Sequence, residues 1–570
     1  MTFEKTEKED AIYQSCKGER RPIFMKIMGK REVRCREGSD SIARLHKLRA
    51  AQDPKQLRLR AVSGRPKLGN SLHSPGGEDQ DEPIKNAWES SFNVGIKLKP
   101  ILEPKSSSST VQRCLAIYKP GTSISPIVST PNFPMNRRKF IRNAAAVAGA
   151  ATLPAWYLEE CLAQTAGKYS NSANEKLGVA LVGCGGRGSG VGDAAAYYGE
   201  MVAVCDVDDA QLAKAKVKWP KAKAFKDFRK VMEQKNVDVV VCGTVDHWHT
   251  LVSLAAMRAG KDVYCEKPLT LTIDEGKHLV KEEKKSKRIL QTGTQQRSDP
   301  RFRLACEIAR NKIIGKLKEI DVYLPAGQRL GPFEKKPVPN GMDWDMWQGQ
   351  TPYVDYVEER AHRLFRYWWE YSGGTMTDWG AHHNDIALWA TGFERSGPVS
   401  AEGRALIDMI PGGFNAASEY ELEYVYPNGI RHRCRSTKAS AWNGRVVDPD
   451  GQQHGLRLTG TNGWVWVTRG EIQASDPDIL NTPLPSSADR LYKSDNHMTN
   501  FIESVRSRKK AICDAEIGHR SATMCHLGVT AVRMGRKIEW NPKKERFVED
   551  REAAATISRP MRKPWDYSMV

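Results

Sequence analysis

Two residues on one predicted helix, Asp378 and His382, have the types and the spacing that acid–base chemistry requires. Residues four apart share one face of an α-helix, so both side chains reach the same small volume. Imidazole titrates near neutral pH and can take the proton of a hydroxyl group while hydride leaves the carbon. A carboxylate one turn away can hold the ring or bind a neighbouring substrate hydroxyl. The pair predicts alcohol oxidation, with His382 as the base and Asp378 in the holding role.

The polar residues that follow, His383, Asn384 and Asp385, raise the alternative of a metal site shared with His382. Two acids and two histidines on one helix do not all share a face, and no third segment offers a ligand. We therefore expect no metal. For Asp385 the sequence leaves two roles open, a structural hydrogen bond to a neighbouring loop and a contact with substrate.

A glycine-rich hexapeptide at 183–188 has the G-x-G-x-x-G spacing of a dinucleotide-binding loop. Gly183 permits the tight turn, Gly185 lets the backbone approach a pyrophosphate, and Gly188 lets helix and strand pack closely. Gly186 and Arg187 of the same loop are assigned to the cofactor site with them. A glycine-rich loop that binds no nucleotide is the alternative.

A carboxylate, Asp206, ends the next predicted strand, 23 residues after Gly183. In that position it can accept hydrogen bonds from the hydroxyl groups of the adenosine ribose. The same charge would repel a 2′-phosphate, and residues 207–209 supply no base to receive one. The sequence therefore favours NAD over NADP.

Alternating strand and helix patterns surround this loop and must position it. Short apolar strands are predicted at 177–182, 201–205, 237–242 and 262–265. Helices are predicted between them, for example at 209–218 and 249–258. This alternation implies right-handed βαβ units and a parallel sheet. The predicted fold class is α/β, with an N-terminal Rossmann domain, a doubly wound parallel sheet, at 174–296.

A second domain is predicted at 297–545, for substrate binding and oligomerisation, with a C-terminal tail at 546–570. Its predicted strands are longer, at 400–408, 418–426 and 456–468, with a hairpin turn at 427–429. Two helices are predicted within 497–535, with a break at 513–514. We expect an α+β domain with a large open, mostly antiparallel or mixed sheet.

A basic segment, Met135–Arg142, precedes an uncharged stretch at 143–158. This layout is typical of a signal peptide, and Arg137 with Arg138 resembles the twin-arginine export signal. We predict a signal peptide at 135–166 and a periplasmic or otherwise exported protein, with weak cleavage signals around 163–166. Residues 1–134 are predicted to be disordered or an over-extended reading frame upstream of a start at Met135; a basic arm that binds nucleic acid is the alternative.

Four motifs occur in this one chain. They are the export signal, the glycine loop, Cys-Glu-Lys-Pro at 265–268, and Gly-Gly at 373–374 followed by Asp-x-Gly-x-His-x-x-Asp at 378–385. Together they resemble the Gfo/Idh/MocA family, the glucose-fructose oxidoreductases and inositol dehydrogenases, over roughly residues 174–545. The resemblance implies that Lys267 points into the site, where its ammonium would stabilise a developing oxyanion. Glu266 would contact the cofactor or fix that lysine, and Lys267 is assigned to the cofactor site as well.

The same resemblance implies that residues 244–249 lie against the nicotinamide ribose. It assigns Thr244, Asp246 and His249 to cofactor binding. The sequence departs from the family pattern here, with Val245 where proline is usual and Asp246 where asparagine is usual.

Aromatic residues crowd the region around this predicted helix: Trp344, Trp347, Tyr367, Trp368, Trp369, Trp379 and Trp389. Aromatic faces pack well against the C–H faces of sugars, which favours a carbohydrate pocket, although each residue alone also fits a core or interface position. His362, Arg363 and Arg366 could bind an acidic sugar or be solvated. Residues 295–297 could line the cleft between the domains.

Composition limits the function classes. The 570 residues carry 88 Lys and Arg against 68 Asp and Glu, a net charge of +20. Residues 1–134 hold 24 of the basic and 15 of the acidic residues, so nearly half of the excess lies outside the predicted domains. We therefore expect no nucleic-acid partner, and no apolar run is long enough for a stable membrane anchor. None of the 12 cysteines forms a C-x-x-C pair, and we predict that Cys184, Cys205, Cys242 and Cys265 are buried free thiols.

These observations predict an exported NAD(H)-dependent oxidoreductase that acts on CH–OH groups of a sugar, polyol or glycoside. Because free NAD is scarce outside the cytoplasm, we expect a tightly bound cofactor and a ping-pong reaction. We also expect a homo-oligomer, either dimer or tetramer. Two alternatives stay open: a glycosidase that uses bound NAD for transient sugar oxidation and elimination, and a non-catalytic sugar-binding protein with this fold.

Overall fold

The structure is a computed structural model that describes residues 23–27, 31–35, 60–61, 153–163, 176–436 and 454–569. The first three segments are strands β1 (Ile23–Ile27), β2 (Arg31–Cys35) and β3 (Arg60–Ala61), which pair antiparallel in the order β2-β1-β3. Most predictions for residues 1–134, and the basic segment Met135–Arg142, lie outside the described residues. Within the described part of the chain no helix has the length and hydrophobicity to cross a membrane.

A six-stranded parallel sheet forms the first domain, in the order β6-β5-β4-β7-β8-β9. Its strands are β4 (Leu177–Val182), β5 (Gly199–Cys205), β6 (Lys223–Phe225), β7 (Val239–Cys242), β8 (Asp262–Cys265) and β9 (Leu290–Thr292). The predicted strands are confirmed to within two residues, because each is a continuous apolar run that the helices on both faces bury. The strand order reverses between β4 and β7, the crevice in which such sheets bind ligands.

Helices cover both faces of this sheet: α2 (Gly186–Ala196), α3 (Asp209–Lys218), α4 (Phe228–Met232), α5 (His249–Arg258) and α6 (Ile273–Ser286). The glycine-rich loop leads directly from β4 into α2. Asp208 caps α3, where its carboxylate accepts from the Ala210 N–H at 2.8 Å. Thr272 and Glu275 form a reciprocal capping box at the start of α6.

A nine-stranded mixed sheet forms the second domain, in the order β16-β15-β14-β10-β13-β12-β11-β17-β18. Its strands are β10 (Glu319–Leu324), β11 (Ser400–Ala405), β12 (Tyr420–Val425), β13 (Arg431–Ser436), β14 (Gly455–Thr459), β15 (Trp464–Thr468), β16 (Glu471–Ala474), β17 (Ile538–Asn541) and β18 (Arg546–Phe547). Only β10 and β13 pair parallel, so the prediction of a mostly antiparallel or mixed sheet is confirmed.

The helices of this part of the chain are α7 (Pro300–Arg310), α8 (Trp344–Gln348), α9 (Thr375–Asp378), α10 (Gly380–Thr391), α11 (Pro477–Asn481), α12 (His497–Ser507), α13 (Ala515–Met534) and α14 (Arg551–Ala554). Helices α7, α10 and α13 pack with the second sheet, whereas α12 packs with the strands of the first domain. Leu304 of α7, Ile386 of α10 and Leu527 of α13 join Leu422 of β12 in one buried apolar cluster. The two helices predicted within 497–535 are α12 and α13.

The strand predicted at 456–468 is wrong, because this stretch is a hairpin of β14 and β15. Gly460 and Gly463 flank the turn, with the Gly460 N–H donating to the Gly463 carbonyl at 2.9 Å. The second glycine has a φ of 155°, a backbone angle that side chains disfavour. The predicted turn at 427–429 is present, and the Gly429 N–H donates to the Tyr426 carbonyl at 2.9 Å.

Two segments outside the predicted domains also pack on the folded body. Helix α1 (Ala155–Ala163) lies within the predicted signal peptide, yet Tyr157 is 1% exposed and its hydroxyl accepts from Arg303 Nε at 2.8 Å. In the predicted tail, the rings of Trp565 and Trp248 meet edge to face with centroids 4.9 Å apart. Both segments therefore belong to the folded body.

Candidate active site

A cavity of about 510 Å³ lies at the carboxyl ends of the parallel strands, beside the point where their order reverses. Ten of the predicted site residues line it: Gly183, Gly185, Gly186, Arg187, Asp206, Thr244, Asp246, Glu266, Lys267 and Asp378. Three do not line it: Gly188, His249 and His382. The cavity is therefore built from the first domain with one wall from the second.

The glycine loop has the shape that a dinucleotide requires. Gly183 adopts a φ of 87°, and a Cβ on Gly188 would lie 1.9 Å from the Gly183 carbonyl oxygen. A side chain at either position would therefore block the turn or the packing of α2 against it. A Cβ on Gly185 or Gly186 would meet no atom within 4 Å, so the loop leaves open space above its backbone. This space is where a pyrophosphate fits.

Asp206 lies at the end of β5 with its carboxylate anchored to the same loop. Its oxygens accept from the Cys184 N–H at 2.7 Å and from the Asp208 N–H at 3.0 Å. Burial raises the pKa of Asp206, and these backbone hydrogen bonds oppose that rise. Each oxygen keeps a further lone pair, so the carboxylate can still accept from ribose hydroxyls.

A buried carboxylate, Glu266, organises the middle of the cavity wall. Arg187 Nε donates to its Oε1 at 2.9 Å, and Gln295 Nε2 donates to the same oxygen at 3.0 Å. Burial alone would lower the pKa of Arg187, but the adjacent carboxylate raises it. Glu266 therefore ties the glycine loop and residue 295 to the strand that carries Lys267. Gln295 contacts this carboxylate, but none of residues 295–297 lines the cavity, so their predicted place in its lining is not observed.

Lys267 and Asp378 meet across the domain boundary in the cavity wall. Lys267 Nζ contacts Asp378 Oδ1, and it also donates to the Asp378 carbonyl at 3.2 Å. Arg366 Nη1 lies 3.0 Å from the second carboxylate oxygen. Burial alone would raise the pKa of Asp378, but Lys267 and Arg366 outweigh it and lower that pKa. Asp378 is therefore ionised and fixes the ammonium group at the cavity.

His382 lies one helical turn after Asp378 and is buried at 6% exposure. Burial lowers the pKa of this imidazole well below its usual range, and the positive charges of Lys267 and Arg469 lower it further. The ring is therefore neutral at physiological pH. Its Nδ1 finds no hydrogen-bond partner among the described residues. A neutral ring with an orphaned nitrogen has the protonation state that a general base needs.

Asp246 is a further carboxyl group in the cavity wall. It accepts from the Ser372 hydroxyl and is 6% exposed. Burial raises its pKa to about 7. Asp246 and Asp378 therefore occupy environments that drive their pKa values apart, one poised to give a proton and the other permanently charged.

His249 was predicted to bind the cofactor, but it does not line the cavity. Its Nδ1 lies 2.6 Å from the Pro268 carbonyl oxygen and its Nε2 lies 3.2 Å from the Thr244 carbonyl oxygen. The ring is 1% exposed. Any effect of His249 on cofactor binding is exerted through the two backbone segments that it joins.

Asp385 forms a buried bidentate ion pair with Arg297, with Nε–Oδ2 at 2.6 Å and Nη2–Oδ1 at 2.8 Å. Both side chains are 1% exposed and neither lines the cavity. Of the two roles that the sequence left open for Asp385, the structural one is observed. The partner is the neighbouring segment 295–298, as that role requires.

Most of the predicted aromatic residues pack in the protein interior. Trp344 and Trp347 stack with centroids 4.7 Å apart, and Trp369 lies under the guanidinium of Arg559 at 3.7 Å. Of the predicted set only Trp347 lines the cavity, while Trp248, absent from the prediction, lines it too. The aromatic crowding therefore reflects packing more than a sugar platform.

The cavity rim is formed by a segment of the second domain that includes His362, Arg363 and Arg366, the three residues for which the sequence left sugar binding and solvation open. The Asp343 N–H donates to the Val207 carbonyl at 3.0 Å, and Trp248 Nε1 donates to the Trp347 carbonyl at 2.9 Å. The short 3₁₀ helix His362–Tyr367 follows, and its residues 362, 363, 365 and 366 line the cavity. Ser372, the partner of Asp246, was missed because nothing in the sequence distinguishes it from other turn residues.

Two family profiles match the chain. Residues 177–294 match the "Oxidoreductase family, NAD-binding Rossmann fold" profile of Gfo/Idh/MocA proteins. Residues 326–567 match the corresponding "Oxidoreductase family, C-terminal alpha/beta domain" profile. Together these ranges exceed half of the chain. The first match confirms the predicted NAD-binding domain.

Curated relatives match over shorter stretches. Myo-inositol 2-dehydrogenase of Thermotoga maritima is 29% identical over 208 residues, 36% of this chain and 52% of the relative. A glycosyl hydrolase family 109 protein of Stenotrophomonas maltophilia is 29% identical over 178 residues, 28% of this chain and 35% of the relative. The chain thus spans about half, or less, of the length of these relatives.

Solved structures of low sequence identity are similar to part of this chain. The WlbA dehydrogenase of Bordetella pertussis, solved with NADH and UDP-GlcNAcA, is 19% identical with a TM-score of 0.47, covering 64% of this chain and 99% of that one. The aldose-aldose oxidoreductase of Caulobacter crescentus is 18% identical with a TM-score of 0.48, covering 64% and 100%.

Proposed function

Because this chain belongs to the Gfo/Idh/MocA oxidoreductase family, we propose that it oxidises or reduces a hydroxyl or keto carbon of a sugar, polyol or glycoside. One observation carries the proposal. Lys267 and Asp378, from different domains, form an ion pair in the wall of the cavity that the glycine loop also lines. The ammonium group that would stabilise a developing oxyanion therefore lies beside the nucleotide site, with His382 one helical turn from its partner Asp378.

The residues present fit a nicotinamide dinucleotide, which when bound supplies the acceptor or donor of hydride. The open space above Gly185 and Gly186 suits the pyrophosphate, and Asp206 suits the adenosine ribose. The carboxylate of Asp206 would repel a 2′-phosphate, which supports NAD over NADP. The rim segment that hydrogen-bonds to 207 and 248 supports tight retention of the nucleotide.

The charges in the cavity wall support a division of labour during alcohol oxidation. The neutral His382 ring accepts the hydroxyl proton, and the Lys267 ammonium stabilises the negative charge that develops on the oxygen. Ionised Asp378 holds the ammonium in place through their ion pair. In the reverse direction the protonated imidazole returns the proton to the keto oxygen.

A second candidate is a glycosidase that oxidises a sugar carbon, eliminates the aglycone and reduces the carbon again. Asp246 favours it, because elimination needs a proton donor or acceptor in addition to the alcohol base, and this carboxyl has a pKa of about 7. Cleavage of a glycosidic bond without net NADH would identify that activity. The other alternative, a non-catalytic sugar-binding protein, is disfavoured by the assembled ion pair and neutral histidine.

We also propose export through the twin-arginine pathway, which carries folded proteins and suits an enzyme that loads its nucleotide in the cytoplasm. The four cysteines predicted as buried thiols are at most 4% exposed, which is compatible with an oxidising compartment. A homo-oligomer and a ping-pong reaction, in which a second substrate regenerates the retained cofactor, complete the proposal.

The proposed function is tested with the purified full-length chain. Native mass spectrometry should show a bound NAD, and a panel of sugars, polyols and glycosides should include one that changes the nicotinamide absorbance in a single turnover. A chain that binds sugars but leaves a bound nicotinamide unreduced by every member of the panel would favour the non-catalytic alternative.

A further inference from the structure

Two cysteines and a histidine of the first domain form a compact cluster outside the cavity lining. The Sγ atoms of Cys242 and Cys265 and a ring nitrogen of His249 all lie within 4.8 Å of one another. The three side chains are 0%, 0% and 1% exposed. We propose that this cluster is a structural site for a thiophilic cation, zinc(II), which joins β7, the start of α5 and the end of β8.

The backbone fixes the two sulfur ligands. Strands β7 and β8 are adjacent and parallel, and their register pairs Cys242 with Cys265. Paired residues of neighbouring strands point to the same face of a sheet, so both thiols reach one point without rearrangement. A metal ion then gains its ligands without ordering a flexible loop.

His249 is held as metal-bound histidines are held. Both ring nitrogens face backbone carbonyl oxygens, those of Pro268 at 2.6 Å and Thr244 at 3.2 Å. A neutral imidazole has one N–H, and the shorter contact fits the donor. The other nitrogen, Nε2, is then unprotonated and faces the Thr244 carbonyl oxygen, so two hydrogen-bond acceptors face each other. Metal-ligating histidines typically donate their second ring nitrogen to a carbonyl in this way, and a cation supplies the electrophile for the unprotonated one.

A buried hydroxyl group lies one helical turn from His249. Ser253 follows His249 by four residues on α5, is fully buried, and has an Oγ without a hydrogen-bond partner among the described residues. Two sulfurs and one imidazole nitrogen are a donor set that zinc(II) prefers, and an oxygen can complete the tetrahedron.

The site has a consequence for the cavity. Cys242 lies two residues before Thr244, and Cys265 directly precedes Glu266 and Lys267. A cation that joins the two strand ends would therefore hold both segments of the cavity wall in register. This role is separate from the proposed reaction, since no ligand of the cluster lines the cavity.

Sequence reasoning predicted no metal because it searched for ligands in short motifs. Cys242 and Cys265 are 23 positions apart and become neighbours only through strand pairing. The residues that raised the metal alternative, His382 and His383, belong to a different helix.

The test uses the full chain, stripped with a chelator and loaded with cobalt(II) as a spectroscopic probe and with zinc(II). We expect one cation per chain, a sulfur-to-cobalt charge-transfer band in the near ultraviolet, and a higher melting temperature with zinc. Cys242→Ser and Cys265→Ser should each abolish the band. The matched control is Cys434→Ser, a fully buried thiol in β13, which should keep it.

Three results would overturn the proposal. The first is wild-type chain that binds no cobalt or gives no charge-transfer band, which is decisive even where a cysteine variant fails to fold. The second is a band that persists in the Cys242→Ser, Cys265→Ser double variant. The third is a Cys242–Cys265 disulfide in peptides mapped without reduction from freshly purified protein.

Discussion

At the scale of single residues, the surroundings of the cavity separate the protonation states of three titratable groups, two in its wall and one, His382, buried behind it. Asp378 has a lowered pKa, Asp246 has a pKa raised to about 7, and His382 has a strongly lowered pKa. The same factor, burial, acts on all three, and the placement of Lys267 and Arg366 decides the outcome for Asp378. As a result, Asp378 is a charged carboxylate, Asp246 is a carboxyl group that titrates near neutral pH, and His382 is a neutral imidazole.

Asp206→Ala should weaken NAD binding by about 1.5–3 kcal/mol, because hydrogen bonds from ribose hydroxyls to a charged acceptor are lost. NADP should lose much less, since the repulsion of its 2′-phosphate is removed too. Isothermal titration of both nucleotides measures the change. Asp193→Ala is the control, because Asp193 is the exposed partner of Lys218 and neither residue lines the cavity. Equal affinities of wild type and Asp206→Ala for both nucleotides would remove Asp206 from the ribose site.

Asp246→Asn should change how stability depends on pH. The folded pKa of about 7 exceeds the unfolded value of 3.8, so the carboxyl group's contribution is fully present below pH 3.8 and is lost as pH rises through 7. Relative to wild type, Asp246→Asn should therefore gain stability between pH 5 and pH 8, by roughly 3 kcal/mol at most. Denaturant unfolding across that range measures the difference. Parallel curves for the two proteins would mean that Asp246 does not titrate there.

Residue types and spacing predicted the chemistry of Asp378 and His382 but not their surroundings. The four-residue spacing can be read locally, although the two residues fall in consecutive helices, α9 and α10, which are joined at Trp379 with helical backbone angles. Ser372, which contacts Asp246, and Arg366, which contacts Asp378, reach their partners through the fold. The predicted cofactor contact of His249 is not observed, because its position in the sequence near the cofactor segment does not determine the direction in which its ring points.

At the scale of elements, the Arg297–Asp385 pair joins the segment at 295–298 to helix α10. Asp385→Ala should destabilise the protein by about 3–5 kcal/mol, because it leaves a buried guanidinium without its partner. Arg297→Met combined with Asp385→Leu should recover most of that loss. The free energy of unfolding from denaturant titration is the measure.

The control for this pair is Arg404→Ala, which breaks an exposed ion pair with Glu421 and should cost at most about 1 kcal/mol. A double variant as unstable as Asp385→Ala would show that the loss comes from packing and not from the unpaired charge.

Four of the six strands of the first domain were predictable because each is a short apolar run bounded by turns, whereas β6 and β9 were missed because each has only three residues. The second sheet was harder, because its strands alternate buried and exposed residues and depend on distant partners. Residues 456–468 were predicted to form one strand because the turn at 460–463 is short and lies between two apolar segments. Strands β17 and β18 were missed because each is only two to four residues long.

At the scale of the whole molecule, helix α1 constrains where the proposed signal peptide could be cleaved. Tyr157 packs against Arg303, so removal of α1 would expose a buried surface. We predict that the mature N-terminus lies upstream of Leu153, and that Arg137→Lys with Arg138→Lys retains the protein in the cytoplasm. N-terminal sequencing of fractionated cells measures both. A mature protein that begins after Ala163 would contradict the packing of α1.

The central claim is that Lys267 and His382 act on one proton transfer beside a bound nicotinamide. The most direct measurement is the single-turnover rate of cofactor reduction by the best sugar of the panel, in wild type, Lys267→Met, His382→Ala and the double variant. Each single variant should lose about 10² to 10⁴ in rate while keeping bound NAD, and the double variant should be far less impaired than the product. Lys335→Met, at an exposed ion pair, should keep the wild-type rate. Full activity in either catalytic variant, or loss of NAD from His382→Ala, would contradict the account.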